Sequence, residues 1–222
     1  MSQLTIASVW NNIYLRNKQM SVWPWSDLIS IVMRYSKPTT DDFKVLELGC
    51  GAGANIPFFV SMGVDYYSIE ASDVIVSRLH KNFPELANKI FAGDFTKTLP
   101  NEKFDLIFDR GALANNKTDL IKECLEHCYE RLKFSGKFIG VDWYSTKTSS
   151  YDQGEFEDEW VRTNFPTGPF VDVDRLHFTN KKHLYDLFSK FEIQHLEHKT
   201  VEYEFNIDHP IVASWNFVAI KK

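Results

Sequence analysis

"KVLELGCGAGANIPFF", residues 44–59, is an apolar run that closes on Gly49, Gly51 and Gly53 and reopens as an apolar-periodic segment. That pattern predicts a strand, a tight turn and a helix. In open α/β sheets a ligand sits beyond the carboxyl ends of the strands, where the strand order reverses. The glycine turn therefore bears on the site as well as on the fold. Gly49, Gly51 and Ala54 satisfy the loose dinucleotide pattern G-x-G-x-x-G/A, which does not by itself choose a ligand.

Three features narrow the choice. Glu47 stands two residues before the first glycine; a carboxylate there suits an ammonium or sulfonium charge better than a pyrophosphate. Gly53 lets the backbone approach a ligand along the whole turn. In "GDF", residues 93–95, Asp94 can accept from an adenine amino group while Phe95 covers the ring. Glu70, which ends the next strand-like stretch, has two oxygens that can accept both ribose hydroxyls.

Outward from the turn, strand-like stretches alternate with helical ones. The strands are "FKVLEL" (43–48), "DYYSIE" (65–70), "KIFAG" (89–93), "KFDLIFD" (103–109) and "GKFIGVDWY" (136–144). Helical periodicity covers 54–62, 72–82 and 117–132. The alternation predicts βαβ units and a parallel sheet, and right-handed crossovers place helices on both faces. After a helix at 180–191, the last two strands have only a loop between them and must pair antiparallel. The expected fold is α/β: a Rossmann-like, seven-stranded, mostly parallel sheet with an antiparallel C-terminal strand.

The 222 residues are read as one domain, 1–222. Residues 1–40 are expected to form two helices broken near Pro24, a lid whose Trp10, Tyr14, Trp23 and Trp25 cover the cofactor. Residues 145–179 are expected to be a long irregular insertion walling the acceptor pocket. A net charge of −5 argues against a nucleic-acid surface. The N-terminus lacks a signal-peptide pattern, and no apolar run is long enough to span a membrane. Cys50, Cys124 and Cys128 read as reduced thiols of a cytoplasmic protein, and no metal-ligand spacing accompanies them.

"VLELGCGAG", "SIEAS", "AGDF", "FDLIFDRGAL" and "LKFSGKFIGVDWY" together resemble, in order, the motifs of class I S-adenosylmethionine-dependent methyltransferases. The resemblance implies S-adenosyl-L-methionine as cofactor and S-adenosyl-L-homocysteine as product. It also implies that Glu47, Gly49, Gly51 and Gly53 hold the methionine portion and the ribose side, with Asn55, Ala71, Ser72 and Trp23 nearby. Glu70 would take the ribose, Asp94 and Phe95 the adenine, while Asp109 and Arg110 would sit under the transferring methyl group. Candidate bases are His177, Tyr144, Asp142 and Asp109.

The acceptor is expected to be a small polar molecule, a sugar or amino compound, methylated on oxygen or nitrogen. "DRGAL" (109–113) is similar to the same stretch of thiopurine S-methyltransferases, which keeps a small thiol open as the alternative. A relative that binds cofactor without turnover also stays open. A nicotinamide oxidoreductase is disfavoured by Glu47 and the reversed hairpin. Nothing in the sequence sets the oligomeric state.

Overall fold

The computed structural model describes residues 5–205, 208 and 210–222. Its seven-stranded sheet is built from β1 (Lys44–Leu48), β2 (Asp65–Glu70), β3 (Ile90–Ala92), β4 (Phe104–Arg110), β5 (Leu132–Tyr144), β9 (Phe191–Glu202) and β10 (Ile211–Lys221). The order is β3-β2-β1-β4-β5-β10-β9. β1 pairs parallel with β2 on one side, Leu46 opposite Tyr67, and with β4 on the other, Leu46 opposite Ile107. The strand order therefore reverses between β1 and β4, which opens the crevice at the end of the glycine turn. β10 runs antiparallel to both β5 and β9, as the short connection before it requires.

Alternation along the strands feeds two cores. Val45, Leu106, Phe108, Ile139 and Val141 face α2 (Ser26–Tyr35), α3 (Ile56–Ser61) and α4 (Asp73–Asn82). Leu46, Leu48, Ile107 and Phe138 face α5 (Thr118–Arg131) and α6 (Lys181–Leu187). Burying both faces explains why the central strands are nearly continuous apolar runs. Gly140 is fixed by this packing, because a Cβ there would lie 2.3 Å from the Phe217 ring.

The sequence places the first helix at 54–62, but α3 spans only Ile56–Ser61, since the turn occupies the chain through Asn55. The fifth strand starts at Leu132, ahead of the expected Gly136. The larger difference lies at 145–179. The segment expected to be irregular carries its own antiparallel sheet of β6 (Glu155–Phe156), β7 (Val161–Thr163) and β8 (Arg175–His177). Phe165, Phe170, Leu176 and Phe178 form a third apolar cluster beneath it, with Ala114 and Tyr144 packed on.

Arg162 pins this small sheet from inside. It is fully buried, its guanidinium stacked on Phe156 at 3.5 Å and Tyr151 at 4.1 Å. It donates to the carbonyls of Tyr151, Asp158, Glu159 and Val161 and to no carboxylate. Among the described residues no helix is long and apolar enough to cross a membrane.

Candidate active site

A cavity of about 260 Å³ opens at the crevice. One of about 380 Å³ adjoins it through Ile6, Trp10, Asn115 and Val173. The floor of the first is the glycine turn. Gly49, Gly51 and Gly53 have φ of 66°, 52° and 84°, a left-handed run that only glycine adopts without strain. Space demands it as well: a Cβ on Gly49 would lie 2.4 Å from the Ala112 Cβ, and one on Gly51 would lie 2.9 Å from the Tyr14 hydroxyl.

Two carboxylates flank the turn from adjacent strand tips. Glu47 is buried; it accepts from Asn55 Nδ2 at 2.8 Å and from the Tyr66 hydroxyl at 2.5 Å. Burial pushes its carboxyl up to about 7, against those two hydrogen bonds. Glu70 accepts from the backbone N–H of Gly51 and of Ser72, each at 2.9 Å. Burial raises it too, while those N–H groups pull the other way. Each oxygen of Glu70 keeps a further lone pair for a ligand hydroxyl.

Glu47, Gly49, Gly51, Asn55, Glu70, Ala71, Phe95, Arg110 and Tyr144 all line the first cavity. Gly53 lies beneath it, where a Cβ would press on Leu79 at 2.6 Å. Ser72 is the N-cap of α4 and donates to Asn11 of the first helix, α1 (Ile6–Leu15). Asp94 lines the adjoining cavity and accepts from the Thr96 N–H and hydroxyl at 3.0 and 2.6 Å. Asp109 stands behind the wall. Its Oδ1 accepts from the Ala112 and Leu113 N–H groups, and burial lifts the carboxyl to about 7, against those groups and the Trp143 indole.

Two expectations need correction. Trp23 is 81% exposed and lies off the cavity; Trp25 lines it instead, its ring 3.5 Å from the Arg110 guanidinium. His177 also lies outside the lining. Its Nε2 meets the His183 Nε2 at 3.0 Å, and Trp160 stacks on His183 at 4.0 Å. Burial lowers the two imidazoles to about 3 and about 4. An imidazole so buried and so occupied is no base for a ligand in the crevice.

Asp142, another candidate base, is turned to a different task. Its Oδ2 accepts from Arg110 Nη2 at 2.9 Å; Oδ1 takes Lys199 Nζ at 3.4 Å and the Ser214 hydroxyl at 3.3 Å. It does so from a left-handed backbone, φ 56°, inside β5, a conformation costing roughly 1–3 kcal/mol. Tyr144 lines the cavity, and burial raises its phenol, opposed by Arg110.

Sequence reasoning missed Tyr66, the partner of Glu47. A tyrosine in a central strand was the available signal, since a buried phenol needs an acceptor. It also missed Asn115, which lines both cavities. Among the described residues no three His, Cys, Asp or Glu side chains are grouped to hold a metal ion.

Comparison with known proteins adds to this geometry. Residues 45–136 match the family model described as "Methyltransferase domain". Phosphoethanolamine N-methyltransferase of Plasmodium falciparum is 26% identical over 121 residues, 53% of this chain and 45% of that protein. The chain thus spans about half the length of the curated relative it matches. A SAM-dependent methyltransferase from Methanosarcina mazei superposes with a TM-score of 0.68 at 16% identity, covering 90% of this chain and 99% of the other. The glycopeptide N-methyltransferase MtfA, complexed with sinefungin, gives 0.59 at 14% identity, covering 91% and 88%. At such identities the structural likeness speaks to the fold.

Proposed function

We propose that the protein is a class I S-adenosylmethionine-dependent methyltransferase acting on nitrogen or oxygen of a small polar molecule, a reading supported by the match of residues 45–136 to the methyltransferase-domain family model. One observation carries the reading: two buried carboxylates, Glu47 and Glu70, flank a left-handed glycine turn at the point where the strand order reverses. The residues present fit this cofactor. A glycine cradle that Cβ atoms would fill, a carboxylate for hydroxyls and a second one beside a cationic group make the donor set it needs.

The cofactor, held by Glu47, Glu70 and the glycine turn, would supply an electrophilic methyl on a sulfonium to the acceptor's lone pair, with a neutral thioether as its leaving form. The remaining work belongs to the chain. Glu70 receives the ribose hydroxyls, and Asp94 and Phe95 the adenine. Glu47, ionised, balances positive charge at the turn. Asp109, behind the wall, braces the loop at Ala112 and Leu113. Trp10, Tyr14 and Trp25 close the cavity from the N-terminal side and Phe170 and Leu176 from the insertion, so that water is excluded and the acceptor is aligned.

Tyr144 keeps its proton at neutral pH and orients the acceptor by hydrogen bonding. No general base is then needed for an acceptor that enters with a free lone pair. The cavity of about 260 Å³ favours a small molecule, and the phosphoethanolamine N-methyltransferase acts on nitrogen by its name, which supports nitrogen. The test is transfer of an isotope-labelled methyl group into fractionated metabolite extracts, with mass spectrometry of the labelled species. No labelled product, with S-adenosyl-L-homocysteine failing to bind by calorimetry, would overturn the reading.

A further inference from the structure

We propose that Arg110 is the acceptor's anchor and that the acceptor carries an oxyanion, a carboxylate or a phosphate. This rests on the methyl-transfer reading and adds a charge to its substrate. Arg110 is the single Lys or Arg among the described residues lining the first cavity. One N–H, on Nη2, is taken by Asp142. Among the described residues Nη1 makes no hydrogen bond, and Nε is buried without one. The guanidinium is held flat under Trp25, and Asp142 fixes its roll. Such a fixed fork is matched to the two oxygens of a carboxylate or phosphate, which can take Nη1 and the remaining Nη2 hydrogen.

The surroundings agree. Asp142 is shared: Lys199 and the Ser214 hydroxyl hold its other oxygen, so the local negative charge is divided between two cations. Tyr144, whose phenol burial keeps protonated, lines the same cavity as a second potential donor. The carboxylates of the cavity, Glu47 and Glu70, belong to the glycine turn. One wall thus receives positive charge and the other negative. Asp142 is a positioning residue in this arrangement.

Labelled methyl transfer is measured on two matched pairs: phosphoethanolamine with ethanolamine, and β-alanine with ethylamine. The anionic member of at least one pair should be preferred, and the better pair tells phosphate from carboxylate. Arg110→Met should raise KM for the anionic member about 100-fold and should raise KM for the neutral member far less. Arg110→Lys should recover part of the loss, since charge survives without the fork. Asp142→Asn should raise KM and leave kcat. Equal rates within both pairs would overturn the proposal. So would Arg110→Met weakening S-adenosyl-L-homocysteine more than tenfold, which would make Arg110 the anchor of the cofactor's own carboxylate.

If none of the four amines is methylated, inorganic phosphate is titrated into the S-adenosyl-L-homocysteine complex. Phosphate binding by the wild type and not by Arg110→Met supports the anchor; equal or absent binding in both refutes it. Homocysteine-product binding by the wild type shows in every arm that the methyltransferase reading itself still stands.

Discussion

The two sides of the cavity are made in different ways. On one, the glycine turn is shaped by backbone: three positive φ angles and N–H groups held by Glu70. On the other, the N-terminal segment and the insertion offer side chains: Trp10 and Trp25, then Phe170 and Leu176 from a small aromatic cluster. The backbone side tolerates no extra atom. The side-chain side can be recut without disturbing it. On the proposed function the contrast would separate what binds the cofactor from what selects the acceptor, and cofactor affinity is the scale on which to test it.

The largest effect should come from Gly49→Val. Its branched side chain would need φ 66° and would meet Ala112 at once, so homocysteine-product binding should vanish in calorimetry and the melting temperature should fall. Next, Glu70→Ala should weaken that ligand about 100-fold, because hydrogen bonds to a charged group contribute about 1.5–3 kcal/mol each. Unchanged affinity would remove Glu70 from the ribose role.

A pH effect follows in size. Cationic S-adenosylmethionine favours the ionised Glu47, so its affinity should rise about tenfold from pH 5.5 to 7.5, with a flat profile in Glu47→Gln. Stability of the ligand-free protein runs in the opposite sense. Glu47 moves from 4.5 to about 7 and Asp109 from 3.8 to about 7 on folding. Each contribution is complete below the lower value and is lost as pH rises through about 7. Thermal melts without ligand should therefore decline between pH 5.5 and 8, and saturating cofactor should flatten the decline.

Phe170→Ala should leave product affinity within about threefold while raising acceptor KM and speeding proteolysis of the insertion, since a truncated core phenylalanine costs about 3–5 kcal/mol in a cluster on the other side of the cavity from the turn. A comparable loss of cofactor affinity would erase the distinction between the two sides. The smallest effect is expected of Lys18→Ala. Its pairing with Asp172 joins the N-terminal segment to the insertion, but both side chains are half exposed, and melting should not change measurably.

The same contrast explains what could be read from the chain alone. Strand tips are local: Glu47, Gly49 and Glu70 sit at fixed offsets within periodic segments, so their neighbourhood follows once the sheet order is known. The covering side is assembled from residues far apart in sequence. Nothing near "RLHF" announces that His177 turns inward to His183, because the direction is decided by where α6 begins. Trp23 and Trp25 flank one proline, and only the guanidinium of Arg110 distinguishes them. The insertion read as irregular because strands of two and three residues carry too short an alternation to see.

Arg162 has a consequence for how the enzyme would behave in changing surroundings. Its partners are carbonyl groups and aromatic faces, with no carboxylate among the described residues to take up a proton in mild acid. His177 and His183 stay uncharged until about pH 4. Mild acid would thus neutralise Glu47 at the floor of the site well before it loosened the wall, leaving a vessel whose shape outlasts its grip.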